Sequence, residues 1–141
     1  MTTFAPHRST VESFVDIVHG SADKDALAGV LADNVVLYSP LDNEPLTGFD
    51  AVVFAIQTVH GTSAKLIYSE VFSGETHHAI AFRLDIGDTG VDGMDYILLD
   101  EDGKISEITI FWRPLPSGVE LQAKLAPGLG MQPWELRTNG E

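Results

Sequence analysis

Between His78 and Pro114 the chain alternates apolar and polar residues through three consecutive runs, and this pattern limits the fold more than any other feature. The runs are His78–Ile86, Val91–Asp100 and Lys104–Trp112. Period-two alternation is the signature of strands with one buried face. Asp100-Glu-Asp-Gly103 separates the last two runs and ends in a glycine able to take positive φ, as hairpin loops of this length often require. Three hairpin-linked strands in sequence predict an antiparallel meander.

The alternation also assigns faces. Ile80, Phe82, Leu84 and Ile86 share one face of the first strand, opposite Ala79, Ala81, Arg83 and Asp85. Ile108, Ile110 and Trp112 share one face of the third, opposite Glu107, Thr109, Phe111 and Arg113. In the second, Val91, Gly93, Asp95, Ile97 and Leu99 form the apolar row, and Asp95 interrupts it. A carboxylate on such a row is costly to bury unless it is paired or protonated. The opposite face also carries Met94, Tyr96, Leu98 and Phe111, enough apolar surface to predict a covering second copy and hence a homodimer.

The other segments read as elements that cover this sheet. Ser9-Thr-Val-Glu12 has capping-box spacing, and Val11, Phe14, Val15 and Val18 follow on one helical face up to Gly20. Residues 1–8 are expected to be a loose lead-in. A short helix is predicted over Asp23–Ala32, packed on the first as a hairpin, then a strand over Asn34–Ser39 that breaks at Pro40. A third helix follows Gly48, roughly Asp50–His60, burying Val52, Val53, Ile56 and Val59. Lys65–Ser73 is a further strand. Ser117-Gly-Val-Glu120 suggests a capped helix over Val119–Ala126, stopped by Pro127 and Gly128. Trp134 and Leu136 are expected to pin the tail to the body or to a second subunit. Segregated helices with a run of linked strands give an α+β fold: a cone-shaped, curved antiparallel sheet wrapped around helices, with an apolar pocket inside. The 141 residues fit one domain, with its core over 9–126 and a tail over 127–141.

Charge and composition exclude several functions. A formal charge of −13 repels phosphate backbones and anionic lipid, so nucleic-acid and membrane partners are not expected. There are no cysteines, which removes disulfides and thiol chemistry. No apolar run approaches the ~20 residues of a membrane-spanning helix, and Glu12 and Asp16 interrupt the first apolar segment, so the expectation is a soluble cytoplasmic protein. His77 and His78 begin a strand, point to opposite faces and read as a solvated turn, not a metal pair. Asp100, Glu101 and Asp102 are turn residues without the spacing of a calcium loop. No metal or organic cofactor is implied.

Phe82-Arg83, Gly93-x-Asp95, Leu99-Asp-Glu-Asp-Gly-Lys-Ile105 and Phe111-Trp-Arg-Pro114 together resemble the SnoaL-like and ketosteroid-isomerase-like branch of the nuclear transport factor 2-like superfamily. Leu31–Asn34, Ser39-Pro40 and Gly48 extend the resemblance, which covers roughly Val11 to Leu125. It implies a helix-and-sheet cone, an α+β barrel of cystatin-like topology, with an apolar pocket, and dimers. Steroid isomerases of this family use a tyrosine and a neutral aspartic acid as an oxyanion hole and a second aspartate as base. By resemblance Asp95 matches the oxyanion-hole acid, while the base position holds Ser39 and the tyrosine position Phe14. Arg83-x-Asp85 has the spacing of the pair used by limonene epoxide hydrolases, but its alternation puts it outside the pocket.

The candidate catalytic residues are therefore Asp95, as an acid donating to a ligand oxygen, and Tyr38, as a second donor if its face turns inward. The blander readings are a structural carboxylate and a core tyrosine. Phe14, Phe82, Leu84, Ile97, Ile108, Ile110 and Trp112 are the expected pocket wall. The expected partner is a small apolar ligand, either a carbonyl-type substrate of isomerase, cyclase or hydrolase chemistry or a guest bound without reaction. The further alternative is a dimeric interaction module that recruits another protein through the outer face of the sheet.

Overall fold

A computed structural model of the chain describes residues 3–134. Its elements run α1 (Arg8–His19), α2 (Lys24–Ala28), β1 (Leu31–Tyr38), β2 (Leu46–Thr47), α3 (Phe49–Thr62), β3 (Lys65–Ser73), β4 (His78–Ile86), β5 (Thr89–Leu99), β6 (Ile105–Arg113) and α4 (Leu115–Leu129). All six strands join one curved sheet in the order β2-β1-β6-β5-β4-β3. The architecture is the expected α+β one, and β4, β5 and β6 form the predicted meander, with Gly103 at φ 78° in its second turn. The sheet stays open instead of closing into a barrel, with β2 and β3 as its edges. It is not antiparallel throughout, because β1 runs parallel to β6.

Several local expectations give way to tertiary pairing. α2 ends at Ala28, and Leu31 and Ala32 begin a strand, because Ile105 N–H donates to Val30 O at 2.8 Å and Leu31 registers against Ile105. α1 starts at Arg8 with His7 as its cap, so Ser9 already lies inside the helix and no capping box forms; Glu12 lies instead 3.9 Å from Arg8. α4 likewise starts at Leu115 behind Pro114, and it continues through Pro127 to a left-handed Gly130. The lead-in is held: Ala5 is buried, its N–H donates to Gly74 O, and Arg8 reaches Ser73 Oγ and Val71 O. His78 is fully buried, not solvated, between Ser73 Oγ at 2.8 Å and Pro6 O at 3.0 Å. His77 stacks on the ring of Tyr96.

The inner face of the sheet carries two cores. One gathers Val11, Phe14 and Val18 of α1 with Leu31, Val35, Ile97 and Ile108. The other gathers Leu121 and Leu125 of α4 with Phe82, Leu84 and Val91. Leu66, Tyr68 and Ile110 pack against both. A cavity opens at this seam, lined by Leu66, Tyr68 and Ile110 among others. The tail is fastened beside it. Gln122 of α4 is fully buried, donates from Nε2 to Gln132 O and accepts from Trp134 N–H, both at 2.9 Å. Trp134 thus packs on the body of its own chain, while Leu136 lies outside the described residues. Among the described residues no helix is long and apolar enough to cross a membrane.

Candidate functional site

The cavity encloses about 300 Å³. Its floor comes from the inward faces of β4, β5 and β6, where the alternation places Phe82, Leu84, Asp95, Ile108, Ile110 and Trp112. Phe14 and Val18 of α1 and Ala55, Ile56 and Val59 of α3 close its sides. Leu129 and Met131, next to the segment that Gln122 holds, add a further wall. The loop from Ser39 to Glu44 lines its open end, where Asp42 and Glu44 are exposed.

Asp95 is 3% exposed, and Tyr68 is its one hydrogen-bond partner among the described residues, donating from its hydroxyl to Oδ2 at 3.2 Å. Desolvation is the larger influence on the acid, and the Tyr68 bond opposes it. The carboxyl is pushed up to about 7. Tyr68 is raised well above the usual phenol value, first by burial of its hydroxyl end and then by the charge of Asp95 and the bond to it. The phenol thus stays protonated and donates. In the neutral acid, the bond from Tyr68 occupies Oδ2 and leaves Oδ1 to carry a proton into the cavity.

The strand pattern does not single out Tyr68, and three contacts position it. Its ring lies edge-on to Phe82 with centroids 5.9 Å apart, and it tilts against Phe14 at 6.1 Å. Its backbone N–H lies on the free side of edge strand β3 and donates to His19 Nε2 at 2.8 Å. The available signal was the alternation of Leu66 and Tyr68 with Lys65, Ile67 and Ser69. A bulge between Tyr68 and Glu70 ends that phase and blurs it.

Two predicted site residues lie elsewhere. Tyr38 is 42% exposed and does not line the cavity, because Leu37 takes the inward direction at the end of β1. Ile97 is fully buried but belongs to the core packed around α1, and the cavity ends short of it. Ser39 lines the open end with its Oγ accepting from Leu41 N–H at 2.9 Å. Arg83 and Asp85 lie on the outer face, paired at 2.9 Å. Among the described residues no group of three or more histidine, aspartate or glutamate side chains could hold a metal ion.

No family model and no curated protein sequence matches the chain. Solved structures do match. A bacterial protein with a cystatin-like fold from Silicibacter pomeroyi DSS-3 is 21% identical, with a TM-score of 0.75 over 86% of this chain and 82% of its own. A steroid delta-isomerase from Pseudomonas aeruginosa is 21% identical, with a TM-score of 0.74 over 89% of this chain and 93% of its own. A candidate SnoaL-like polyketide cyclase from Jannaschia sp. CCS1 is 11% identical, with a TM-score of 0.67 over 85% of this chain and 91% of its own. At these identities the likeness is one of fold. The open sheet, the helices on its inner face and these neighbours together assign the chain the cystatin-like, nuclear transport factor 2-like fold that steroid-isomerase and SnoaL-like structures share.

Proposed function

We propose that the protein takes a small hydrophobic carbonyl compound into the cavity, and that Asp95, as a neutral acid, hydrogen-bonds and polarises its carbonyl oxygen in isomerase- or cyclase-type chemistry. One observation carries this reading: a carboxyl raised to about 7 lies in an apolar chamber with one oxygen free of any described partner. A donor preorganised in a water-poor site stabilises developing enolate charge far better than the same donor in water. Polarisation weakens the adjacent C–H bond. The α-proton passes to solvent or a buffer base admitted at the open end as negative charge gathers on the oxygen facing Asp95, and the acid so formed returns a proton to carbon when the enolate collapses.

A second reading, binding without reaction, is favoured by the polar inventory of the inner wall. Besides Asp95 and Tyr68, the polar lining residues are Ser39, Asp42 and Glu44, all on the loop at the open end. No described side chain beside Asp95 is an evident base. In this reading Asp95 only orients the guest.

α-Proton exchange of 2-tetralone in D2O, followed by NMR, separates the two. The enzyme reading requires exchange above the buffer rate that falls roughly 10²–10³-fold in Asp95→Asn. Exchange at the wild-type rate in that variant removes Asp95 from the chemistry. Binding of 2-tetralone with no exchange above buffer selects the non-catalytic reading.

A further inference from the structure

The titratable groups along the cavity are Asp42, Glu44, Tyr68 and Asp95, and no lysine, arginine or histidine is among the lining residues. Asp42 and Glu44 stand at the exposed end and make no ion pair with another described residue. Asp42 Oδ1 accepts from Glu44 N–H at 3.1 Å, which leaves Oδ2 and the whole Glu44 carboxylate open to solvent. Phe54 lines the same cavity and is 56% exposed, so its ring, like the two carboxylates, belongs to the solvent-facing part of the lining. Carboxylates beside an aromatic ring suit an ammonium group, through charge attraction and through the electron-rich ring face. The chain's net charge of −13 adds a field of the same sign. The buried end offers Asp95, a single polar point whose Oδ1 has no described partner.

We infer that the open end of the cavity is a subsite for a protonated amine, so that the preferred guest is an amphiphilic amine: an apolar body with a hydrogen-bonding atom at Asp95 and an ammonium nitrogen held by Asp42, Glu44 and Phe54. Anionic guests are disfavoured, since a carboxylate or phosphate passes Asp42 and Glu44 at the open end and finds no cationic side chain among the lining residues. This deepens the proposed function and rests on the same chamber being the ligand site.

The test uses three probes on one bicyclic skeleton: 2-aminotetralin, 2-tetralol and tetralin-2-carboxylate, positive, neutral and negative at pH 7.5. Calorimetric titration at low salt should rank them amine, alcohol, carboxylate, with the amine favoured over the alcohol roughly five-fold, the scale of two exposed charge contacts. Screening at 0.5 M NaCl should remove most of that margin. Asp42→Asn with Glu44→Gln should abolish it and leave alcohol binding unchanged, since the asparagine oxygen still accepts from residue 44. A carboxylate that binds as well as the alcohol overturns the inference, as does an amine margin that survives the double variant. A margin lost in Asp95→Asn but kept in the double variant places the nitrogen at the buried end and overturns it too. The two proposals fail separately. Tetralone exchange at the wild-type rate in Asp95→Asn removes the acid role and leaves the charge ranking standing, whereas absent ranking with Asp95-dependent exchange removes only the amine subsite. Failure of all three probes to bind overturns the amine subsite, and the acid role then stands or falls on tetralone exchange alone.

Discussion

Tyr68 donates to Asp95 across a strand that separates them: one residue lies on edge strand β3, the other on β5, with β4 between. Phe82 pairs with Tyr68 and Ile80 with Asp95, so the phenol reaches diagonally over the inner face of β4 to meet the carboxyl. The pair is a product of sheet curvature and register, and four of the predictions below bear on it or on the chamber it faces.

The raised acid makes stability depend on pH. Between about pH 4 and 7 the folded protein holds a proton on Asp95 that the unfolded chain has released, so folding is favoured at low pH. This contribution is fully present below the ordinary carboxylate value and is lost as pH rises through about 7. It amounts to roughly 4 kcal/mol. Urea unfolding of wild type and Asp95→Asn from pH 4.5 to 8.5 should therefore show a stability difference that shifts toward the variant as pH rises. Parallel curves would count against a buried acid.

Removing the phenol should move the acid further. The bond from Tyr68 pulls Asp95 down, so Tyr68→Phe raises its titration above about 7 and costs about 1 kcal/mol of stability at neutral pH. Carboxyl 13C chemical shifts across a pH series report it directly. A downward movement contradicts the assigned donor.

His19 acts on the same pair through the backbone. His19→Ala leaves the Tyr68 N–H without its acceptor and removes a ring 5.6 Å from the phenol. The Asp95 titration should move in the same direction as in Tyr68→Phe, by less. His19→Gln offers an amide oxygen to that N–H and should restore most of the wild-type curve, which a merely space-filling histidine would not predict.

Gly93 sets the room available to Phe82. A Cβ there meets the end of the Phe82 ring and lies 2.7 Å from Phe111 O, a backbone atom that cannot swing away. Gly93→Ala should cost about 1–3 kcal/mol, read as a lowered Tm, and should weaken 2-tetralone binding by driving Phe82 into the chamber. Unchanged Tm and affinity would show that Phe82 has another place to go.

The outer face of the sheet carries exposed apolar side chains. Ile67, Tyr96 and Phe111 are 45%, 45% and 57% exposed there, beside Met94 and Ala81. We propose a homodimer through this face, with light scattering at micromolar concentration giving twice the chain mass and Phe111→Glu giving the monomer. A monomeric wild type removes the proposal.

Much of this was legible in the sequence because β4, the run Val91–Ile97 of β5 and the run Ile108–Trp112 of β6 keep period two, the irregularity at Leu98/Leu99 lying beyond the site. Their phase alone brings Phe82, Leu84, Asp95, Ile108, Ile110 and Trp112 to one floor. What was not legible depends on partners distant in sequence. Tyr38 and Tyr68 both end or interrupt apolar runs, and only the pairing of β1 with β6 and the bulge in β3 decide which one faces inward. Ile97 obeys the alternation, yet the alternation cannot tell that α1 fills the space over it. The apparent capping boxes at Ser9 and Ser117 fail because neighbouring residues extend each helix upstream.

The buried carboxamide of Gln122 ties the chamber to the far end of the described chain. A chain cut after Gly130 would lose Met131 from the lining and strand both ends of a polar group that solvent does not reach. Removing the eleven residues after Gly130 therefore opens one wall of a chamber whose floor lies entirely in the sheet.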